Sequence, residues 1–191
     1  EKVDMIRKKC PTLEHLIVVS GEAKDSWICM AEACDKTSPN FNRTKIAQIK
    51  STDPMLIYFT SGTTSMPKMV ERDHSYALAH TITQKYWMTL NETDVHWTLT
   101  DTGWAKAAWE LLFPPLLAGS TILLFDSDGF NAEQHLEIIQ RCNVTTFCAP
   151  PTVYRLFAQM DISGYDLSSL RHCIGAGEPL NPEAMRSWKT A

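Results

Sequence analysis

The sequence predicts an α/β layered fold in which a mainly parallel sheet is flanked by helices. Short apolar, β-branched runs recur along the chain, stretches with helical spacing separate them, and glycine, proline or hydroxyl residues mark the joins. Strands and helices that alternate in this way build βαβ units, whose strands lie parallel and whose helices cover the sheet. The 191 residues leave room for one domain with a sizeable core, and a composition of 44% hydrophobic and 21% charged residues is that of an ordinary globular chain.

The elements read in order as follows. Residues 16–19 (LIVV) form a buried strand that ends at Ser20-Gly21, and residues 26–34 carry helical potential. The polar, proline-bearing stretch 35–54 is a loop. Residues 55–59 form a second strand that enters a Ser/Thr/Gly-rich loop, and residues 75–87 then read as a helix. Residues 121–125 (TILLF) are a strand, after which Asn131 caps a helix running to Arg141, with Gln134 in place to reach back to the cap. Another strand follows in VTTFCAP, a helix at 152–160, a strand in RHCIGAG, and a last helix with Asn181 as cap and Pro182 as its first residue.

A net charge of -4, from 18 basic and 22 acidic residues, offers none of the basic surplus that marks partners such as nucleic acid or anionic membranes. No apolar run is long enough for a membrane span, and no targeting pattern is visible. The cysteines Cys10, Cys29, Cys34, Cys142, Cys148 and Cys173 form no CxxC pair, so free thiols are expected, and the scattered histidines give no metal-ligand spacing. Asp126 and Asp128, beside Ser127 and Gly129, read as a turn, and the absence of Gly-x-Ser-x-Gly disfavours a hydrolase. The chain opens at Glu1 inside a charged helix-like stretch and stops at SWKTA inside another, so both ends are expected to be cut.

The most informative stretch is TSGTTSMPK, residues 60–68. It gathers the hydroxyls of Thr60, Ser61, Thr63, Thr64 and Ser65 with Gly62 and Lys68 directly after an apolar strand. Phosphate oxygens need donors; short hydroxyl side chains and backbone N–H groups supply them, and an ammonium adds a point charge. Gly62 permits close backbone approach and Pro67 stiffens the exit. The loop lacks the Walker A spacing, so the residues alone define an anion site or a polar surface loop.

YFTSGTTSMPK resembles the signature phosphate loop of the adenylate-forming superfamily. TDTGWAKAAW at 100–109, APPTVYRL at 149–156 and GAGEPLNPEA at 175–184 follow in the family's order. Together they are most similar to the AMP-forming medium-chain acyl-CoA synthetases, and weaker similarity runs over the whole chain. The resemblance implies that residues 1–191 are part of the large N-terminal adenylation domain, without the C-terminal domain. It also implies that a medium-chain fatty or aromatic carboxylate is activated by ATP to acyl-AMP and passed to CoA. ATP, Mg2+ and CoA are the implied cofactors and substrates, and the mitochondrial matrix is the implied location.

By the same resemblance Thr60, Ser61, Gly62, Thr63, Thr64, Ser65, Met66, Pro67 and Lys68 hold the ATP phosphates, with Thr63 and Lys68 closest to the chemistry. Gly177, Glu178 and Pro179 line the adenine side, and Trp104 borders the acyl tunnel. None of these is a metal ligand. Ser65 departs from the family's usual glycine and brings a Cβ to a position where phosphate binding favours none. The family's downstream acidic motif, ribose-binding aspartate and C-terminal lysine have no counterpart here, so the chain alone is expected to be inactive. Two alternatives remain open: a catalytically incompetent truncated form that acts only by binding, and an adenylating ligase with an acceptor other than CoA.

Overall fold

The computed structural model describes residues 2–24, 26–40, 48–60 and 66–190. The chain divides into two compact units, Glu1–Gln48 and Ile49–Ala191.

In the first unit, helix α1 (Lys2–Arg7) precedes two parallel strands, β1 (Leu16–Val18) and β2 (Trp27–Cys29), and helix α2 (Met30–Lys36) follows directly. The stretch expected to be helical from residue 26 therefore starts as a strand. Trp27, Ile28 and Cys29 have aromatic and β-branched character that suits pairing with Leu16–Val18, and that long-range pairing overrides helical spacing. Among the described residues of this unit, Leu16 is the buried apolar side chain.

The second unit opens with an antiparallel pair, β3 (Pro54–Thr60) and β4 (Lys68–Asp73). The expected order of strand, loop and helix is thus corrected to strand, loop, strand and helix. The charged segment after Lys68 hides β4 because the strand is only partly covered: Val70 and Asp73 are half-buried while Glu71 and Arg72 are exposed. Arg72 then lies over the Tyr76 ring at 5.6 Å. Asp73 accepts hydrogen bonds from the Ser75 backbone N–H and hydroxyl, which starts helix α3 (Ser75–Thr83); a π-helical turn, Gln84–Met88, extends it.

A four-stranded parallel sheet follows, in the order β6-β5-β7-β8. Its strands are β5 (Val95–Thr98), β6 (Thr121–Ile122), β7 (Thr146–Ala149) and β8 (His172–Gly175). Strand β5 was not legible as a strand, and β6 is shorter than the TILLF run. Between β5 and β6 a π-helical segment, Ala107–Leu112, continues into helix α4 (Phe113–Ala118), which Gly119 ends at a φ of 73°. Helix α5 (Ala132–Arg141) has the expected cap, with the Asn131 side chain accepting from the Gln134 backbone N–H. Helix α6 (Pro151–Phe157) and helix α7 (Pro182–Thr190) complete the unit, and Asn181 caps α7 through the Ala184 N–H.

Every residue of β7 is buried, as befits a central parallel strand covered on both faces. On one face Trp97 and Phe147 pack with Leu136, Ile139, Val153, Tyr154 and Phe157 from α5 and α6. On the other, Cys148 and Ile174 meet Met88 and Leu90. His96, fully buried in β5, is held between the hydroxyls of Thr146 at 2.7 Å and Thr98 at 2.8 Å. Burial lowers its pKa from the ordinary value of 6.5 to about 4. The unfolded chain therefore takes up a proton that the folded one refuses as pH falls from 6.5 toward 4, and the folded state weakens through that window. The loss at pH 4 is expected to be about 3 kcal/mol. Urea titrations of wild type and His96→Asn between pH 7 and 4 check it, since the variant should lack this slope.

Candidate active site

Strand pairing places Thr60 opposite Lys68, so the two residues close the base of a hairpin whose loop is residues 61–67. Met66, Pro67 and Lys68 are exposed. Ser61, Gly62, Thr63, Thr64 and Ser65 lie outside the described residues. The ladder thus fixes the two ends of the stretch that sequence singles out for phosphate.

A second feature lies at the carboxyl ends of the parallel strands, where open α/β sheets place their ligands. Here a cleft of about 390 Å³ is lined by Leu99 and Thr100 after β5, Pro150 after β7, and Ala176, Gly177 and Glu178 after β8, with Asp101, Trp104 and Lys106. Three of the stretches singled out by sequence, 100–109, 149–156 and 175–184, therefore meet in one cleft. The Asp101 carboxylate accepts from the Gly103 N–H at 2.6 Å, a tight turn that sets Trp104 at the rim with 72% of its surface exposed. Gly177 has a φ of 106°, a conformation that disfavours any side chain, and a Cβ built there would meet nothing within 4 Å. The backbone at Gly177 thus offers an open edge to a ligand.

Pro179 faces a neighbouring cavity of about 430 Å³ with Tyr154, Cys173, Leu180, Met185 and Trp188, and Glu178 forms a wall of both. The Arg155 guanidinium pairs with Glu178 at 2.9 Å across partly exposed surface. Such a pair adds little stability, but it fixes the carboxylate's direction. Thr60 and Lys68 line neither cavity.

Behind the cleft wall lies a group that sequence reasoning missed. Glu110, fully buried on the π-helical segment, has its Oε2 3.2 Å from the Lys106 ammonium and accepts from the Cys148 thiol at 3.2 Å. Burial raises the Glu110 pKa against the opposing charge of Lys106, and it pushes the Cys148 thiol up as well. Glu110 Oε1, shielded from solvent, has no hydrogen-bond partner, and the equally shielded Lys106 Nζ is held by its ion pair with Glu110 Oε2. The sequence signal was the four-residue spacing of Lys106 and Glu110 in WAKAAWE, which brings two side chains to one helical face.

Among the described residues no group of three or more His, Cys, Asp or Glu side chains could hold a metal ion. None of the helices searched there is long and apolar enough to cross a membrane. All six cysteines are free thiols.

The family model described as AMP-binding enzyme matches residues 1–191. Among curated proteins, acyl-coenzyme A synthetase ACSM5, mitochondrial, of Homo sapiens is 40% identical over 189 residues, which are 98% of this chain and 32% of that protein. Acyl-coenzyme A synthetase ACSM4, mitochondrial, of Rattus norvegicus is 38% identical over 188 residues, with the same coverage of 98% and 32%. The chain thus spans about a third of the length of these relatives. Among solved structures, the anthranilate CoA ligase AuaEII in complex with anthranoyl-AMP superposes with a TM-score of 0.86 at 28% identity, covering 99% of this chain and 36% of that one. The Brucella canis acyl-CoA synthetase gives 0.76 at 29% identity, covering 97% and 35%.

Proposed function

Because the chain belongs to the AMP-binding enzyme family, we propose that it supplies the phosphate loop and part of the acyl and adenine walls of an acyl-CoA synthetase. The substrate is a medium-chain fatty or aromatic carboxylate. The observation that carries this reading is the cleft at the carboxyl ends of β5, β7 and β8, where Trp104, Gly177 and Glu178 come together. A solved relative whose title names anthranoyl-AMP as its bound molecule supports it.

In the first step a carboxylate oxygen attacks the α-phosphorus of ATP, the bond to the pyrophosphate breaks, and acyl-AMP forms. In the second the sulfur of CoA attacks the acyl carbon and AMP leaves. Lys68 at the hairpin base neutralises charge that builds on the departing pyrophosphate, and the hydroxyls of Ser61, Thr63 and Thr64 orient the phosphates for in-line attack. The open backbone at Gly177, beside Glu178, takes the adenine side, and Pro179 borders it from the adjoining cavity. Magnesium, held chiefly by the ATP phosphates, would share that neutralisation with Lys68 and the loop donors. Relatives named as mitochondrial support a mitochondrial location.

Trp104 shapes acyl preference. Its indole stands at the rim and is exposed in this chain, so Trp104→Ala is expected to leave the melting temperature nearly unchanged. Space released at the rim favours longer or bulkier acids, with roughly 0.8 kcal/mol available for each added methylene that is buried. Pyrophosphate release across a chain-length series, in the longest native polypeptide that carries these residues, tests both points. A profile that does not move in the folded variant, or a rise confined to the KM for ATP, contradicts the assignment. Absence of any carboxylate-dependent release from the wild type contradicts the function itself.

A further inference from the structure

We propose that a cavity beside the cleft binds a small neutral phenol, with the His135 imidazole accepting a hydrogen bond from the ligand's hydroxyl group. The site stands independently of the adenylation chemistry proposed above.

The cavity, about 350 Å³, lies where the loop after β6 meets helices α5 and α6, and it shares Leu99 and Pro150 with the cleft. Phe130, Val153 and Leu156 supply apolar wall, and Phe130 and Leu156 keep 41% and 45% of their surface exposed. A concave apolar surface with one convergent polar group is the usual form of a small-molecule site. The polar group here is His135 on α5, which is 1% exposed and forms part of the wall. Its ring lies nearly parallel to the Trp97 indole at 5.3 Å, and Phe130 closes on it at 4.6 Å.

His96 and His135 are both buried but differ in how they are satisfied. His96 has both ring nitrogens bonded to threonine hydroxyls. His135 has one bonded: Nδ1 lies 2.6 Å from the Asn131 carbonyl oxygen. A carbonyl can only accept, so Nδ1 carries the ring proton and Nε2 keeps its lone pair. Nε2 has no hydrogen-bond partner among the described residues, yet it is not sealed from solvent as the ring nitrogens of His80 are. The small open part of His135 therefore includes Nε2, and the cavity is where this residue reaches the surface. A side chain set among Trp97, Phe125 and Phe130 only to fill space would be apolar, because an unmet acceptor there costs stability.

The chemistry of the ligand follows from that inventory. A lone pair requires a donor, which excludes carboxylates, ethers and ketones. No charged side chain lines the cavity, so a charged ligand would lose its hydration without gaining a counter-ion. Phe130 and the Pro150 ring offer apolar surface to an aromatic body, and the phenolic hydroxyl is a strong neutral donor carried by such a body.

The test is isothermal titration calorimetry of the longest native polypeptide that carries residues 1–191, with 4-ethylphenol and with 4-ethylanisole, the methyl ether that keeps the ring and loses the donor. The phenol is expected to occupy a single site with a Kd below about 1 mM and to bind at least ~10-fold tighter than the ether. Leu156→Trp fills the mouth from an exposed position and should abolish binding. His135→Phe keeps the stack on Trp97 and should bring the two compounds to equal affinity, with melting temperatures recorded for both variants. Should His135→Phe not fold, the matched pair on the wild type and the Leu156→Trp variant still decide. Equal affinity for phenol and ether in the wild type, no saturable binding, or phenol binding that survives Leu156→Trp overturns the proposal and leaves the adenylation reading untouched.

Discussion

Replacing Arg171 by alanine is expected to destabilise the Ile49–Ala191 unit by about 2–3 kcal/mol, less than for a fully buried pair because the guanidinium is partly exposed. Asp94 stands directly before β5, Thr145 directly before β7, and Arg171 directly before β8, so one cluster ties the amino ends of three parallel strands. The Asp94 carboxylate, 2% exposed, accepts from Arg171 Nε at 2.8 Å, the Thr145 hydroxyl at 2.7 Å and the Asn91 N–H at 2.8 Å. Arg171 also donates to the Thr89 carbonyl. Its removal strands a buried carboxylate, whereas Asp94→Ala leaves a guanidinium that is partly exposed and can turn to water, so the second variant should lose less. Burial works to raise the pKa of Asp94, and the bonds from Arg171, Thr145 and Asn91 outweigh it and hold the group below the ordinary carboxylate value. A lowered folded pKa gives stability that is present above the unfolded value and is lost as pH falls through the folded one. The gap between wild type and Arg171→Ala in urea unfolding should therefore be widest near neutral pH and close toward pH 3. A gap that is the same at both ends would show that the ion pair is not its cause.

How much of this was legible depends on where the information lies along the chain. Helix α5 and strand β7 could be read because the Asn131 cap and a short run of β-branched, aromatic and small residues ending at proline are local signals. Strands β4 and β5 could not. Lys68–Asp73 is charged and half exposed, and Val95–Thr98 is four residues long with a histidine in it; both become strands through partners far away or across a loop. His96 is tolerated there because Thr98 and Thr146 satisfy its two ring nitrogens, and Thr146 is fifty residues distant. Trp104, Gly177 and Glu178 could be named from motif resemblance, but their convergence in one cleft depends on β5 and β8 flanking β7. Lys106 and Glu110 carried a visible spacing, yet nothing local marks Glu110 as fully buried.

Lys68→Ala carries the largest expected effect on chemistry. An ammonium that meets charge developing on the leaving pyrophosphate acts mainly in the transition state, so its removal should lower kcat by about 10²–10³ with a smaller change in the KM for the carboxylate. Lys68 is exposed at the base of the hairpin, and its truncation should leave the melting temperature within about a degree or two of wild type. Lys68→Arg should recover part of the rate, because charge returns with a different geometry.

The most direct measurement is ATP–pyrophosphate exchange by the longest native polypeptide that carries residues 1–191, with and without a medium-chain or aromatic carboxylate, and with Lys68→Ala beside it. The account predicts exchange that requires the carboxylate, forms acyl-AMP detectable by mass, and falls at least a hundredfold in the variant (about 2.7 kcal/mol). Exchange that proceeds without carboxylate, release of ADP in place of AMP, or a variant as active as the wild type would contradict it.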